Sequence, residues 1–193
     1  TAIGTLSKAS ARNSTAIGAS SNALGNYSGA FGTEANASGL ASMAFGAGSI
    51  ANATGAITIG VNSIASGANS SVFGTEAIAS EEDAIAMGYL ANASGIDSIA
   101  IGRSSIASAK NSTAVGTEAK ASEVNSSAYG DSSTASGSNS AAFGFKSTAS
   151  GDDSTSIGKA SSATQQGATA LGHLAHATGV RSTALGTGSK ANA

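Results

Sequence analysis

The stretch STAVGTEAKASEVNSSAYG, Ser112 to Gly130, sets two glycines 14 residues apart. Each follows an apolar residue, Val115 or Tyr129, and each apolar residue follows an alanine, Ala114 or Ala128. Outward from this stretch the glycine recurs in both directions without a slip, at 4, 18, 32, 46, 60, 74, 88, 102, 116, 130, 144, 158, 172 and 186. Five residues after each glycine stands alanine, and three residues after it only serine or alanine. Two residues before it alanine holds eleven of fourteen places, with Thr58, Val72 and Ser156 as compact exceptions. A disordered chain has no reason to keep such columns, and self-similarity at a fixed period marks a repeat architecture.

Within each unit the alternation has period 2, as in Ser98 to Gly102, which predicts a short strand running up to the glycine. A second strand is predicted in the small-residue segment that follows, as in Ala35 to Ser38, Ser63 to Ser66 and Ser147 to Ser150. The turn after it is rich in Gly, Asn and Asp, as at Gly137 to Asn139 and Gly151 to Asp153, residues that tolerate positive φ or bond their own backbone. A 14-residue unit with two strands and no insertions predicts an all-β fold: a parallel β-roll, or β-solenoid, of fourteen turns whose equivalent strands stack at about 4.8 Å. Residues 1–193 read as a single repeat domain. Fixed glycines and the lack of a sustained 3.6-residue apolar spacing argue against helix.

Composition narrows the function classes. Glycine contributes 26 residues, Pro, Cys and Trp none, and aromatics 4%, so a core of large side chains cannot be built. Charged residues make up 10% and the net charge is -2, far from the dense basic footprint of nucleic-acid binding. Without cysteine there are neither disulfides nor thiolate metal sites. No apolar run approaches the roughly 18 to 20 residues of a membrane span. Thr1 begins in mid-repeat with no signal peptide, as expected for part of something longer.

Parity puts the alanine and glycine of the first strand on one face and the large apolar residue on the other. The expected roll interior is therefore Ala9, Ala23, Ala37, Ala51, Ala65, Ala79, Ala93, Ala107, Ala121, Ala135, Ala149, Ala163 and Ala177. The large column, which starts at Ile3, then points out of the roll and needs a partner. Burying it is worth at most about 20 to 40 kcal/mol per chain, too much to leave in water. The expected arrangement is an obligate homo-oligomer whose interface holds Ile17, Phe31, Phe45, Ile59, Phe73, Met87, Ile101, Val115, Tyr129, Phe143, Ile157, Leu171 and Leu185. Parity alone leaves the reverse packing open, with the large column inside and the alanines outside.

The strings TAIG, MAFG, SIAIG, STAVG, SAAFG and STALG, each followed by a segment such as NASG, STASG or IASG, resemble the YadA-like head repeats of trimeric autotransporter adhesins over the whole chain. The resemblance implies a left-handed parallel β-roll, three parallel chains side by side, at the outer end of a fibre on a Gram-negative outer membrane. Heads of this kind contact host extracellular matrix proteins or cell-surface receptors. Family members continue into a neck, a coiled-coil stalk and a membrane barrel, none of which is expected within these residues. The repeat consensus records fold, so no relative's ligand-binding residue carries over.

Candidate chemistry is sparse. His173 and His176 form H-x-x-H across a turn and strand with no third ligand nearby, which argues against a metal. Glu81-Glu82-Asp83 and Asp152-Asp153 fall in the second turn, where charge is solvated and discourages sideways association of strands. Glu34, Glu76 and Glu118 recur in G-T-E-A strings three turns apart, as a docking rail or as the trace of a duplicated 42-residue block, the simpler reading. No G-x-S-x-G elbow occurs, neither histidine has a repeated acidic partner, and no inserted loop could form a pocket, so neither enzyme nor cofactor is expected. N-x-S/T matches such as Asn36-Ala37-Ser38 follow from composition. A threonine ice-binding ladder breaks early, in the column Thr1, Thr15, Gly29, Met43, Ile57. Two functions remain: an adhesin head binding through repeated equivalent faces, and a rigid spacer with no ligand of its own.

Overall fold

Alternation over three or four residues, cut each time by glycine or by small polar residues, yields strands two or three residues long. The structure, a computed structural model, describes residues 1–192. The chain divides into two units, Thr1–Asp97 and Ser98–Ala193, each a parallel β-solenoid with two strands per coil.

In the first unit the strands Ala2–Ile3, Thr15–Ile17, Gly29–Phe31, Met43–Phe45, Ile57–Ile59, Ser71–Phe73 and Ile85–Met87 pair in that order into one parallel sheet. The strands from Lys8–Ala9 to Asn92–Ala93 pair likewise into a second. In the second unit the first sheet runs from Ile99–Ile101 to Thr183–Leu185 and the second from Ile106–Ala107 to Lys190–Ala191. The register is one repeat throughout, Ile17 opposite Phe31 in the first unit and Tyr129 opposite Phe143 in the second. Like therefore stacks on like, and the backbone closes a ladder between coils: Gly18 N–H donates to Ile3 O at 2.8 Å and Asn22 N–H to Ala35 O at 2.8 Å.

The interior is a thin layer of methyl groups and hydroxyls. Ala23, Ala37, Ala51, Ala65, Ala79 and Ala93 are buried in the first unit, as are Ala107, Ala121, Ala135, Ala149, Ala163 and Ala177 in the second. Ala9, which has one stacked neighbour instead of two, is half-buried. The buried serines answer their own polarity: Ser21 Oγ donates to Gly18 O at 2.9 Å, Ser42 Oγ to Gly39 O at 2.8 Å and Ser133 Oγ to Gly130 O at 2.9 Å. Two exceptions in the alanine column find hydroxyl partners across the interior, Thr58 with Ser63 and Ser156 with Ser161. Ser28, Ser70, Ser140 and Ser154 keep buried hydroxyl oxygens without a partner, while Ala56, Ala84 and Ala168 at the same position show that a methyl suffices there.

Both turns pass through the left-handed region. In the second turn Asn13, Asn69, Asn125 and Asp153 hold φ near +56, as expected of Asn and Asp. The first turn has the same conformation two residues after each repeat glycine, where the sequence gives no such signal: Leu6, Glu34, Leu90 and Lys146 have φ from 53 to 59. A left-handed residue costs about 1 to 2 kcal/mol. Here its N–H bonds to the preceding coil, Glu34 N–H to Ala19 O at 2.9 Å for example, and its side chain faces solvent, so any residue type is accommodated.

Candidate assembly and binding surfaces

Since the alanines fill the interior, the large apolar column lies on the outer face of the first sheet. Ile59 remains 43% exposed and Phe143 38%, so no residue of the same chain covers them fully. Stacking in register pairs the aromatic members: Phe31 lies on Phe45 at 4.6 Å between ring centroids, Tyr129 on Phe143 at 5.0 Å. Two residues earlier in the same strands, and on the same face, Met43, Ile57 and Ile85 widen the apolar strip in the first unit. The outer face of the second sheet carries another apolar row, Ile50, Ile64 and Ile78 in direct register, half-buried. Sequence reading misses this row, because the same repeat position elsewhere holds Lys8, Asn22, Lys120 and His176.

The turns hold the polar candidates. His173 is exposed on a first turn and His176 half-buried on the outer face of the second sheet. Among the described residues no three His, Asp or Glu gather as metal ligands, and the surface has no pocket. Glu34 and Glu76 occupy the same exposed turn position three coils apart in the first unit. In the second unit Glu118 pairs with Arg103 at 3.3 Å, a contact between exposed side chains and therefore weak.

Glu81, Glu82 and Asp83 are exposed, but Asp152 and Asp153 do more than carry charge. Asp152 Oδ1 accepts from Ser138 N–H at 2.9 Å, and Asp153 ends a side-chain ladder along the second turns. Asn111 Nδ2 donates to Asn125 Oδ1 at 3.0 Å, Asn125 to Asn139 at 2.9 Å, and Asn139 to Asp153 at 3.1 Å. A carboxylate can only accept, so Asp153 fixes the direction of every amide before it. Asn125→Ala removes two of these bonds and leaves alanine at φ +56, so it is expected to lower stability by about 1 to 2 kcal/mol. Asp153→Asn keeps an acceptor and is expected to stay within about 0.5 kcal/mol of the parent. Thermal unfolding followed by circular dichroism separates the two, and equal melting points for all three proteins would show that the ladder carries no stability.

Comparison with known proteins agrees with this geometry. A family model described as the YadA head domain repeat (2 copies) matches overlapping stretches that run from residues 1–21 and 9–35 to 51–77, and from 79–105 to 163–189 and 177–193. A search of curated proteins found no match. Among solved structures, the collagen-binding domain of the Yersinia adhesin YadA is 32% identical, with a TM-score of 0.59, over 69% of this chain and 70% of that one. Glycine register, buried alanines and the repeat-by-repeat match agree: the chain belongs to the family of YadA head repeats.

Proposed function

We propose that this chain is the head of a bacterial surface adhesin, outside the cell, and that it attaches to host extracellular matrix, with collagen the first ligand to test. In this reading the roll is left-handed, as in the family, and three parallel copies pack their outward apolar columns, Ile17 to Leu185, around a common axis. The observation that carries it is the likeness to a collagen-binding domain over about two thirds of both chains. The constant register within each unit supports it too, since equivalent turns stack to give the same shallow surface many times over and avidity replaces a deep site. No catalytic residue and no cofactor enter this reading.

Solid-phase binding to immobilised collagen tests it. The assembled protein is expected to bind, and a monomeric variant to lose about a hundredfold in apparent affinity. Assembly without uptake of collagen or any other matrix protein would favour the spacer reading, in which this chain holds some other binding element away from the cell.

A further inference from the structure

One first turn of the second unit gathers charge around an aromatic ring. Phe145 directly follows the repeat glycine Gly144 and is 43% exposed. Lys146 Nζ lies 5.1 Å from its ring centroid and Lys159 Nζ 5.9 Å. Lys146 is brought there by the left-handed turn, φ +53, and Lys159 because it holds Phe145's own place one coil later. The ring face attracts both ammonium groups and limits where two long, flexible side chains sit.

Neither lysine has an ion-pair partner among the described residues. Among the described residues the one ion pair is Arg103 with Glu118. The acid of the preceding coil, Asp131, accepts from Ser132 Oγ at 2.8 Å. Two like charges held on one ring repel, and an anion bridging them would relieve that repulsion. The surroundings favour such a partner, since all basic residues except Lys8 and Arg12 fall in this unit.

We infer that Phe145, Lys146 and Lys159 form a docking site for a linear sulfated polysaccharide. Ammonium groups hold sulfate by charge-assisted hydrogen bonds, and pinned ones lose less freedom on binding. The same turn position recurs with each coil at about 4.8 Å, a straight shallow track suited to a polymer laid along it. Single-stranded nucleic acid, which stacks its bases on open aromatic faces, fits poorly, because both ammonium groups lie over the one ring here. A lipid bilayer fits poorly as well, since the one aromatic ring is capped by ammonium groups. The inference is independent of collagen binding, which the family reading suggests and which no residue of this turn was used to argue.

Immobilised heparin, at about 0.1 M salt where exposed charges still act over some 10 Å, is the probe. The parent is expected to be retained, and Lys146→Gln with Lys159→Gln to bind about tenfold more weakly. Phe145→Leu keeps both charges but removes the ring, and is expected to bind about threefold more weakly. Lys8→Gln with Arg12→Gln, in the other unit, is expected to bind like the parent. Phe145, Lys146, Lys159 and Arg12 are exposed on turns and Lys8 is exposed on the outer face of the second sheet, and circular dichroism checks that each variant keeps the fold. The inference is overturned if the parent is not retained, if the double lysine variant elutes with it, or if phosphatidylserine vesicles bind the protein and heparin does not.

Discussion

Gly46→Ala is expected to cost about 3 kcal/mol or more, and Gly48→Ala, two residues further along the same turn, about 1 kcal/mol. Gly46 has φ +133, a conformation that L side chains rarely adopt. A Cβ there would also stand 2.7 Å from the carbonyl carbon of Gly60 and nearer still to its oxygen. That carbonyl is held in place, since it accepts from Ser63 Oγ at 2.9 Å while Gly60 N–H donates to Phe45 O at 2.8 Å and ties the coil to its neighbour. Gly48 has φ +65, and at the same turn position Glu34, Asn62 and Glu118 hold φ 59, 53 and 56 with ordinary side chains. Its new Cβ would meet Asn62 Oδ1, the far end of a side chain that can rotate. Urea unfolding at one protein concentration, followed by circular dichroism, compares the two. Equal losses would mean that the coils yield at Gly46, and that something other than close backbone approach keeps glycine in that column.

That column is also what made the fold legible. A glycine needed both for its φ and for the approach of the next coil tolerates no substitute, so its period survives every change in the residues around it. The alanines two before and five after it are legible for a related reason: the two sheets meet over a layer that admits little more than a methyl group or a hydroxyl. What stayed hidden depends on contacts between coils. The left-handed residue of the first turn carries no signature, since Leu6, Glu34 and Lys146 serve equally with their side chains in solvent. Asn111, Asn125 and Asn139 read as three turn formers, and they become a hydrogen-bonded ladder only when the register stacks them. Ile50, Ile64 and Ile78 are an apolar row on the second sheet, in a column too mixed elsewhere to look like one. The candidate surfaces divide the same way. An assembly face repeats with the coil and can be read from the period, whereas a cluster such as Phe145, Lys146 and Lys159 uses turn positions that the fold leaves free to vary.

Ile157→Glu together with Leu171→Glu is expected to turn the proposed trimer into monomers. The two side chains are in register on neighbouring strands, 40% and 41% exposed in the single chain, and belong to the column proposed to meet its equivalents in other copies. Covering what remains exposed of each is worth about 1 kcal/mol or more per protomer, and a carboxylate in its place would lose that gain and bring like charges together at the axis. The effect is repeated in every protomer, so the association balance moves by several kcal/mol in all. Because the column faces out of the roll, the fold of each chain is expected to survive, which circular dichroism checks. Thr134→Glu with Thr148→Glu is the matched control, with two stacked carboxylates on the outer face of the second sheet and the same repulsion between neighbouring coils. Absolute mass by light scattering is expected to be threefold for the parent and the control and single for the Ile157 and Leu171 variant. If that variant keeps the threefold mass, the column is not the interface. If the parent itself is a folded monomer, the apolar strip has some cover other than its own copies. If the control falls apart as well, the chains meet through the second sheet, where Ile50, Ile64 and Ile78 would be the next residues to charge.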